Sequence, residues 1–567
     1  MDWVTRAEHL GSTRGTRSEP ERFAELMEID WLRILDEHPE GATFAGVQGY
    51  DDRWTDLSPE AHERRRRQAR AVAEAARSID RDALSVDDRL NLDLFTQQAE
   101  IRDESMGFPG ELMPLGTMSG PQHLIPRTIS LTRAPEDALA RLEAAPAVIE
   151  QTIELLREGL RRGITTPRIV ISGVAEQLDA QIADPATGPI LAGATHLTGS
   201  ARSDAERLIG ERIVPAFAAL RAFVTDEYEP ATRESIGLSE LPDGEAWYAF
   251  EARRYTTTDL SPKEIHEIGL SEVERIRAEM ADAKRATGHS GSFEEFFEFL
   301  RTDDGFFFDS AEELLSSYRD LAKRADPKLA ELFSVLPRTP YGVEPVPAHE
   351  EQHVPTAYYL RGALHAGRAG TFYANTYDLR SRPRWEMEAL TLHEAVPGHH
   401  LQVSIGQELG DVPEFRKHAR FTAFVEGWGL YAESLGTEMG FYTDPYSRFG
   451  QLTYEMWRAI RLVVDTGMHA FGWSREQAIE LFRTNAGKAD HDITVEVDRY
   501  IAWPGQALAY KLGELKFKEL RARATAALGD RFDVRAFHDE LLSRAALPLD
   551  ILESLIDDWI AQRGASS

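Results

Sequence analysis

Between His393 and His400 the chain places His393, Glu394, His399 and His400 within eight residues, and Pro397-Gly398 breaks the helix that would have to hold them. Neutral imidazoles suit a divalent first-row ion, and a carboxylate beside the first imidazole can deprotonate a water held there. That is the logic of a zinc hydrolase. The usual spacing, His-Glu-x-x-His, puts both imidazoles on one helical face at i, i+4. Here the second imidazole comes at i+6 (His399) or i+7 (His400), and in a regular helix His400 would sit roughly 10 Å further along the axis. Pro397 cannot donate to the helical ladder, and Gly398 tolerates unusual dihedrals. The expectation is one helix modified by a bulge at residues 396–398, which brings the imidazoles together.

A catalytic zinc site takes three protein ligands and keeps the fourth position open. Phe421, Phe424, Val425, Trp428, Ala432 and Leu435 recur at helical spacing as an apolar stripe, while Glu426 and Glu433 share another face. A carboxylate beside so much aromatic bulk is costly unless paired or metal-bound. Glu426 is the expected third ligand, and Glu433 can orient a histidine from behind.

Four stretches make a resemblance recognisable: His393–His400, Glu426-Gly-Trp-Gly-Leu-Tyr-Ala-Glu433, Trp457 to His469, and Arg499-Tyr-Ile-Ala-Trp-Pro-Gly-Gln-Ala507. Together they resemble the bacterial domain-of-unknown-function family 885, itself similar to the all-helical zinc peptidases of the angiotensin-converting-enzyme and thermostable-carboxypeptidase type. That resemblance implies a mainly α fold: a two-lobed helical zincin-like clamshell with a central channel, a small β element near the metal site, and hydrolysis of short peptides. It favours His399 over His400 as second ligand. It also casts Tyr500 as the phenol that stabilises the oxyanion, with His491 as a substrate contact. Tyr510, ten residues further along, is a second candidate for that donor and a candidate substrate contact. Asp465 and His469, at i, i+4, form either a supporting pair behind the site or a structural one.

The 567 residues, 42% of them hydrophobic, can bury a substantial core, and they are read as a single unit with the motifs in residues 370–515. A net charge of −31 repels nucleic acid and anionic membranes. With no cysteine, a metal site must use histidine and carboxylate. The first residues lack a basic stretch followed by an apolar one, and no apolar run is long enough to span a membrane, so the expected location is cytoplasmic.

Helical periodicity dominates the rest. Helices are expected over 21–37, from Ser58-Pro59, over 135–162 and 204–225, from the capping boxes at Ser261 and Ser474, from Ser292 and from Asp309-Ser310, and over 532–562. Residues 105–133, rich in Gly, Pro and Met, read as a packed loop. Thr371-Phe-Tyr-Ala-Asn-Thr-Tyr-Asp-Leu379 is the best strand candidate. As an edge strand just upstream of the metal segment, it could add to an extended peptide through its backbone, with Tyr373 and Asn375 as substrate-binding side chains.

The expected chemistry is peptide hydrolysis at one Zn2+ per chain, held by His393, His399 and Glu426, with Glu394 as general base and Tyr500 on the oxyanion. Hydrolysis of a non-peptide amide or ester, a non-catalytic binding role on the same fold, and another divalent ion are the competing readings.

Overall fold

In the computed structural model, which describes residues 2–12, 16–347, 351, 355–363, 367–410 and 412–565, helices dominate and one small three-stranded sheet accompanies them. Local signals set many helix starts. Ser261, Ser292 and Ser474 form reciprocal capping boxes with Glu264, Glu295 and Gln477, opening the helices Pro262–Ala286, Phe293–Thr302 and Arg475–Ala486. Ser58 and Ser310 cap Pro59–Arg77 and Ala311–Ala325. The helices expected over 21–37 and 135–162 run Glu19–Glu37 and Pro135–Arg162. The C-terminal stretch divides into Val534–Leu542 and Leu549–Ala565.

Residues 105–133 are not all loop. A helix Pro121–Leu131 lies within them, starting with Pro121 where the missing N–H has no helical partner to lose. Its buried Ile125 and Ile129 anchor it in the core, which outweighs the interruption at Pro126.

The chain, read as a single unit, divides into two compact ones. The first comprises residues 1–236, 240–244 and 413–418, and the second residues 237–239, 245–412 and 419–567. The first unit is organised on Pro135–Arg162, whose Leu142, Ile149 and Leu156 meet Phe217 and Leu220 of Val214–Phe223 in one apolar cluster. Gly199–Leu208 runs into Val214–Phe223 through a π-helical turn at Ile209–Ile213, so the helix expected over 204–225 is locally widened.

The motifs all lie in the second unit. Its centre is Pro445–Ala470, buried over most of its length, including Leu452, Met456, Ile460, Leu462 and Val463. Each such side chain contributes about 1.5–3 kcal/mol by burial. The helix Thr422–Leu435 crosses Ala509–Leu528 at paired glycines: a Cβ on Gly427 would lie 2.5 Å from the Cα of Gly513, and one on Gly513 would overlap the Ala423 carbonyl. Backbone therefore meets backbone at that crossing.

In the sheet, β1 (Tyr341–Pro345) pairs parallel with β3 (Gly370–Ala374), and β2 (Ala357–Leu360) pairs antiparallel with its other side. The expected strand exists but is shorter and central. Its Gly370, Phe372 and Ala374 are buried and both flanks are paired, so β3 has no edge to offer a peptide, contrary to expectation. Asn375 ends it: its amide donates to the carbonyls of Glu351 (2.7 Å) and Pro355 (3.2 Å), and its oxygen accepts from the Tyr377 N–H (3.0 Å). No helix among the described residues is long and apolar enough to cross a membrane.

Candidate metal centre

The helix carrying His393 ends where a bulge was expected. Met387–Glu394 stops, Ala395 leaves helical dihedrals (φ −94°, ψ −113°), Val396-Pro397 is a cis peptide, and a second helix, His399–Glu408, begins. Gly398 is required because a Cβ there would overlap the carbonyls of Leu392 and His393. The turn is tied to the next helix by the indole N–H of Trp428, which donates to the Pro397 carbonyl (2.9 Å).

At the start of the second helix, consecutive side chains point about 100° apart, and the two histidines diverge. His400 goes to the sheet: its Nδ1 meets the Tyr359 hydroxyl on β2 (2.9 Å), and its ring packs 4.4 Å from that of Tyr341 on β1. His399 goes to His393, with ring centroids 4.6 Å apart and planes nearly perpendicular. The choice between them is thus made by the sheet.

Glu426 completes a group of three. Its Oε2 lies 4.0 Å from His393 Nε2 and 3.7 Å from His399 Nε2, and one ligand atom from each residue falls within 4.8 Å of the others. These contacts are not salt bridges. Burial, with Arg458 nearby, holds the His393 imidazole down to about 3, and burial with His393 nearby lowers that of His399, so both rings are neutral. Two imidazole lone pairs and a carboxylate therefore face one another. Gly429 makes room, since a Cβ there would lie 2.7 Å from His393 Cε1.

Glu433, fully buried, contacts His393 Nδ1 at 2.7 Å; as a carboxylate it accepts from Nδ1–H, the tautomer that leaves Nε2 bare. Burial raises this carboxyl to about 8, against the opposing charge of Arg458, whose Nη2 is 3.9 Å from Glu433 Oε1. Burial likewise raises Glu394 to about 7, with His399 opposing and Glu426 adding to the rise.

The donor set fits a zinc ion. Tetrahedral coordination at 2.0–2.1 Å sets ligand atoms about 3.3 Å apart, so side-chain movements of order 1 Å would close the present arrangement. One histidine already has its outer nitrogen oriented by a carboxylate, as metal-ligating imidazoles do.

The remaining sequence candidates fare differently. Tyr500 is fully buried and its hydroxyl is engaged by other side chains: it donates to Glu496 Oε2 (2.6 Å) and accepts from Arg461 Nε (2.8 Å). Tyr510 is one helical turn before Gly513, at the crossing with the helix of Glu426, and its phenol is raised by burial and then by the Glu426 charge. Of the two candidate phenols, Tyr510 is the one that the Glu426 charge helps to raise. His491 is exposed on the first turn of Asp490–Ala502. Tyr373 is half-buried on β3, its ring 5.1 Å from that of Tyr358, whereas Asn375 is buried and occupied by backbone, which removes it as a substrate contact.

Asp465 and His469 are structural. Asp465 accepts from the Tyr248 hydroxyl (2.6 Å) and the Gly505 N–H (3.0 Å), while His469 links the Leu238 N–H to the Tyr500 carbonyl. Sequence reasoning passed over Arg458 and Arg461. The available signal was two arginines at i, i+3 inside the otherwise apolar run Met456 to Val464, where a cation needs a partner.

Fold and site thus define a class, mainly helical with a candidate His2Glu metal centre. The chain belongs to the family described as bacterial protein of unknown function (DUF885), which matches residues 39–556. Two similar solved structures are each described as a putative lipoprotein. One, from Colwellia psychrerythraea, is 27% identical with a TM-score of 0.89, covering 96% of this chain and 100% of that one. The other, from Shewanella oneidensis and of unknown function, is 17% identical with a TM-score of 0.70, covering 94% and 99%. No curated protein matches.

Proposed function

We propose that this protein is a zinc-dependent metallopeptidase that hydrolyses short peptides. The observation that carries the reading is the convergence of two neutral imidazoles and a carboxylate on one point, with Glu394 adjoining. His393, His399 and Glu426 would hold the ion. A divalent ion there supplies Lewis acidity and lowers the pKa of a water beside it. Glu394 accepts a proton from that water as its oxygen bonds to the scissile carbonyl carbon. The carbonyl oxygen gains negative charge, and the Tyr510 hydroxyl, rather than that of Tyr500, donates to it. The carbon–nitrogen bond then breaks, and Glu394 returns the proton to the leaving amine. Glu433 keeps His393 oriented throughout, and Tyr373 forms part of the wall on which the substrate lies.

The cytoplasm is the location expected from the sequence. The description of the two structural relatives points instead to the cell envelope, and fractionation with an antibody against the protein decides between them.

The first test is metal content by elemental mass spectrometry, with peptide-hydrolysis assays before and after chelation. About one zinc per chain, as a single catalytic site requires, and chelator-sensitive cleavage are expected. Failure to bind metal after zinc is supplied overturns the reading.

A further inference from the structure

The segment from His393 to His400 holds three imidazoles, and they differ in what meets Nδ1. His393 Nδ1 meets Glu433 Oε1 (2.7 Å) and His400 Nδ1 meets the Tyr359 hydroxyl (2.9 Å), whereas His399 Nδ1 is buried with no hydrogen-bond partner. His399 turns its other nitrogen to the triad, Nε2 lying 3.7 Å from Glu426 Oε2. A neutral imidazole carries one hydrogen, so a His399 that offers its Nε2 lone pair to a cation carries that hydrogen on Nδ1. There it is a buried donor, and a buried donor calls for an acceptor.

One turn further along the same helix, His399–Glu408, stands an acceptor that lacks a donor. Gln402 is buried, and its Oε1 has no hydrogen-bond partner. Residues i and i+3 are neighbours on a helix surface, and helical side chains lean toward the N-terminus, so Gln402 leans over the turn that begins with His399. The terminal torsion of a glutamine is broad, which lets the amide turn its oxygen toward the imidazole at little cost. The adjustment falls to the glutamine, because the turn before His399 is pinned by the Trp428 indole on the Pro397 carbonyl (2.9 Å).

An unpaired donor nitrogen and an unpaired acceptor oxygen thus sit one turn apart beside the candidate metal centre. We infer that Gln402 is the positioning residue of His399: its Oε1 accepts the hydrogen bond from Nδ1–H and so fixes the ring with Nε2 toward a divalent ion held by the triad. The inference rests on the metal site of the metallopeptidase reading and adds a residue to it. The two imidazoles are then braced by different chemistry, His393 by a carboxyl group and His399 by a neutral amide. Gln402 Oε1 has no protein partner to lose, so its removal leaves the fold as stable as before, and its contribution shows in zinc binding.

The test compares the native chain with Gln402→Met and Gln402→Glu, both close to glutamine in size. Zinc affinity is read by competition with a chromogenic chelator, and stability by denaturant unfolding of the chelator-treated proteins. Gln402→Met is expected to bind zinc about 10–100-fold more weakly, with its unfolding midpoint unchanged. Gln402→Glu keeps an acceptor in place and makes its hydrogen bond charge-assisted, so it should bind zinc more tightly than the native chain. Native affinity in Gln402→Met, weakening in Gln402→Glu, or a fall in midpoint with zinc affinity unchanged overturns the inference. Should Gln402→Met fail to fold, Gln402→Glu decides alone: tighter binding upholds the role, and equal or weaker binding overturns it. The two readings fail separately. A chain that binds zinc with the help of Gln402 yet cleaves no peptide refutes the peptidase, one that cleaves peptides with the same zinc affinity in all three proteins refutes the role of Gln402, and one that binds no zinc refutes both.

Discussion

Two buried polar clusters in the second unit obey different rules. Around Lys511, which is fully buried, Glu272, Glu455 and Glu514 lie at 2.9, 2.7 and 2.5 Å, and Arg275 and Lys518 close the remaining sides. Every acid there has a cation at bonding distance. Around His393 the imidazoles are neutral, Glu394 and Glu433 are pushed up by burial, and Arg458 stands 3.9 Å from Glu433. Buried charges balanced within their own cluster serve the scaffold, whereas converging lone pairs make a candidate site for a cation. The contrast separates structure from chemistry within one helical unit.

The widest break between the clusters is expected from Glu394→Gln. It should lower kcat by about 10²–10⁴-fold, the usual contribution of a positioned general base, with zinc content unchanged. Near-normal turnover in a metal-loaded mutant would remove Glu394 from the mechanism. The converse change is Lys511→Met, which leaves three buried carboxylates to share Arg275 and Lys518. Denaturant unfolding should show a loss of about 3–5 kcal/mol, and zinc bound per folded chain should not change; loss of metal as well would mean that the clusters are one.

The third prediction uses pH. The folded pKa of Glu394, about 7, lies above the usual 4.5, so its stabilising contribution is present below about 4.5 and is lost as pH rises through 7. In metal-free protein at pH 8, Glu394→Gln should therefore be the more stable form by up to about 3 kcal/mol, shrinking toward pH 5. A pH-independent difference would show that burial of this carboxyl is not what raises it. Smallest is Glu433→Gln, expected to weaken zinc affinity by about 10–100-fold, read by competition with a chromogenic chelator. An unchanged affinity would leave Glu433 a structural partner only.

Features set by neighbours a few residues away were legible in the sequence. Ser261, Ser292 and Ser474 announce their helices because a cap and its partner are three residues apart. The candidate triad was legible in part: the meeting of His393 with Glu426 and the supporting Glu433 follows from spacing and the cost of a carboxylate among aromatic side chains. Features set across the fold were not. Whether His399 or His400 joins His393 depends on Tyr341 and Tyr359, strand residues about 40 to 60 positions earlier. Whether Tyr500 or Tyr510 approaches Glu426 depends on where two helices cross. β3 looked like an edge because its partners, β1 and β2, are only five and four residues long, and β1 carries Gly342, Glu344 and Pro345.

That crossing has a consequence for how such a centre can be inherited or built. Because Gly427 and Gly513 bring main chain against main chain, the spacing between the helix that carries Glu426 and the helix that carries Tyr510 is gauged by the backbone and not by any adjustable side chain. Grafting residues 391–402 onto another helical scaffold would carry over the histidines but not the gauge. The portable unit is the pair of helices with their glycines in register, and the metal motif is the part that travels with it.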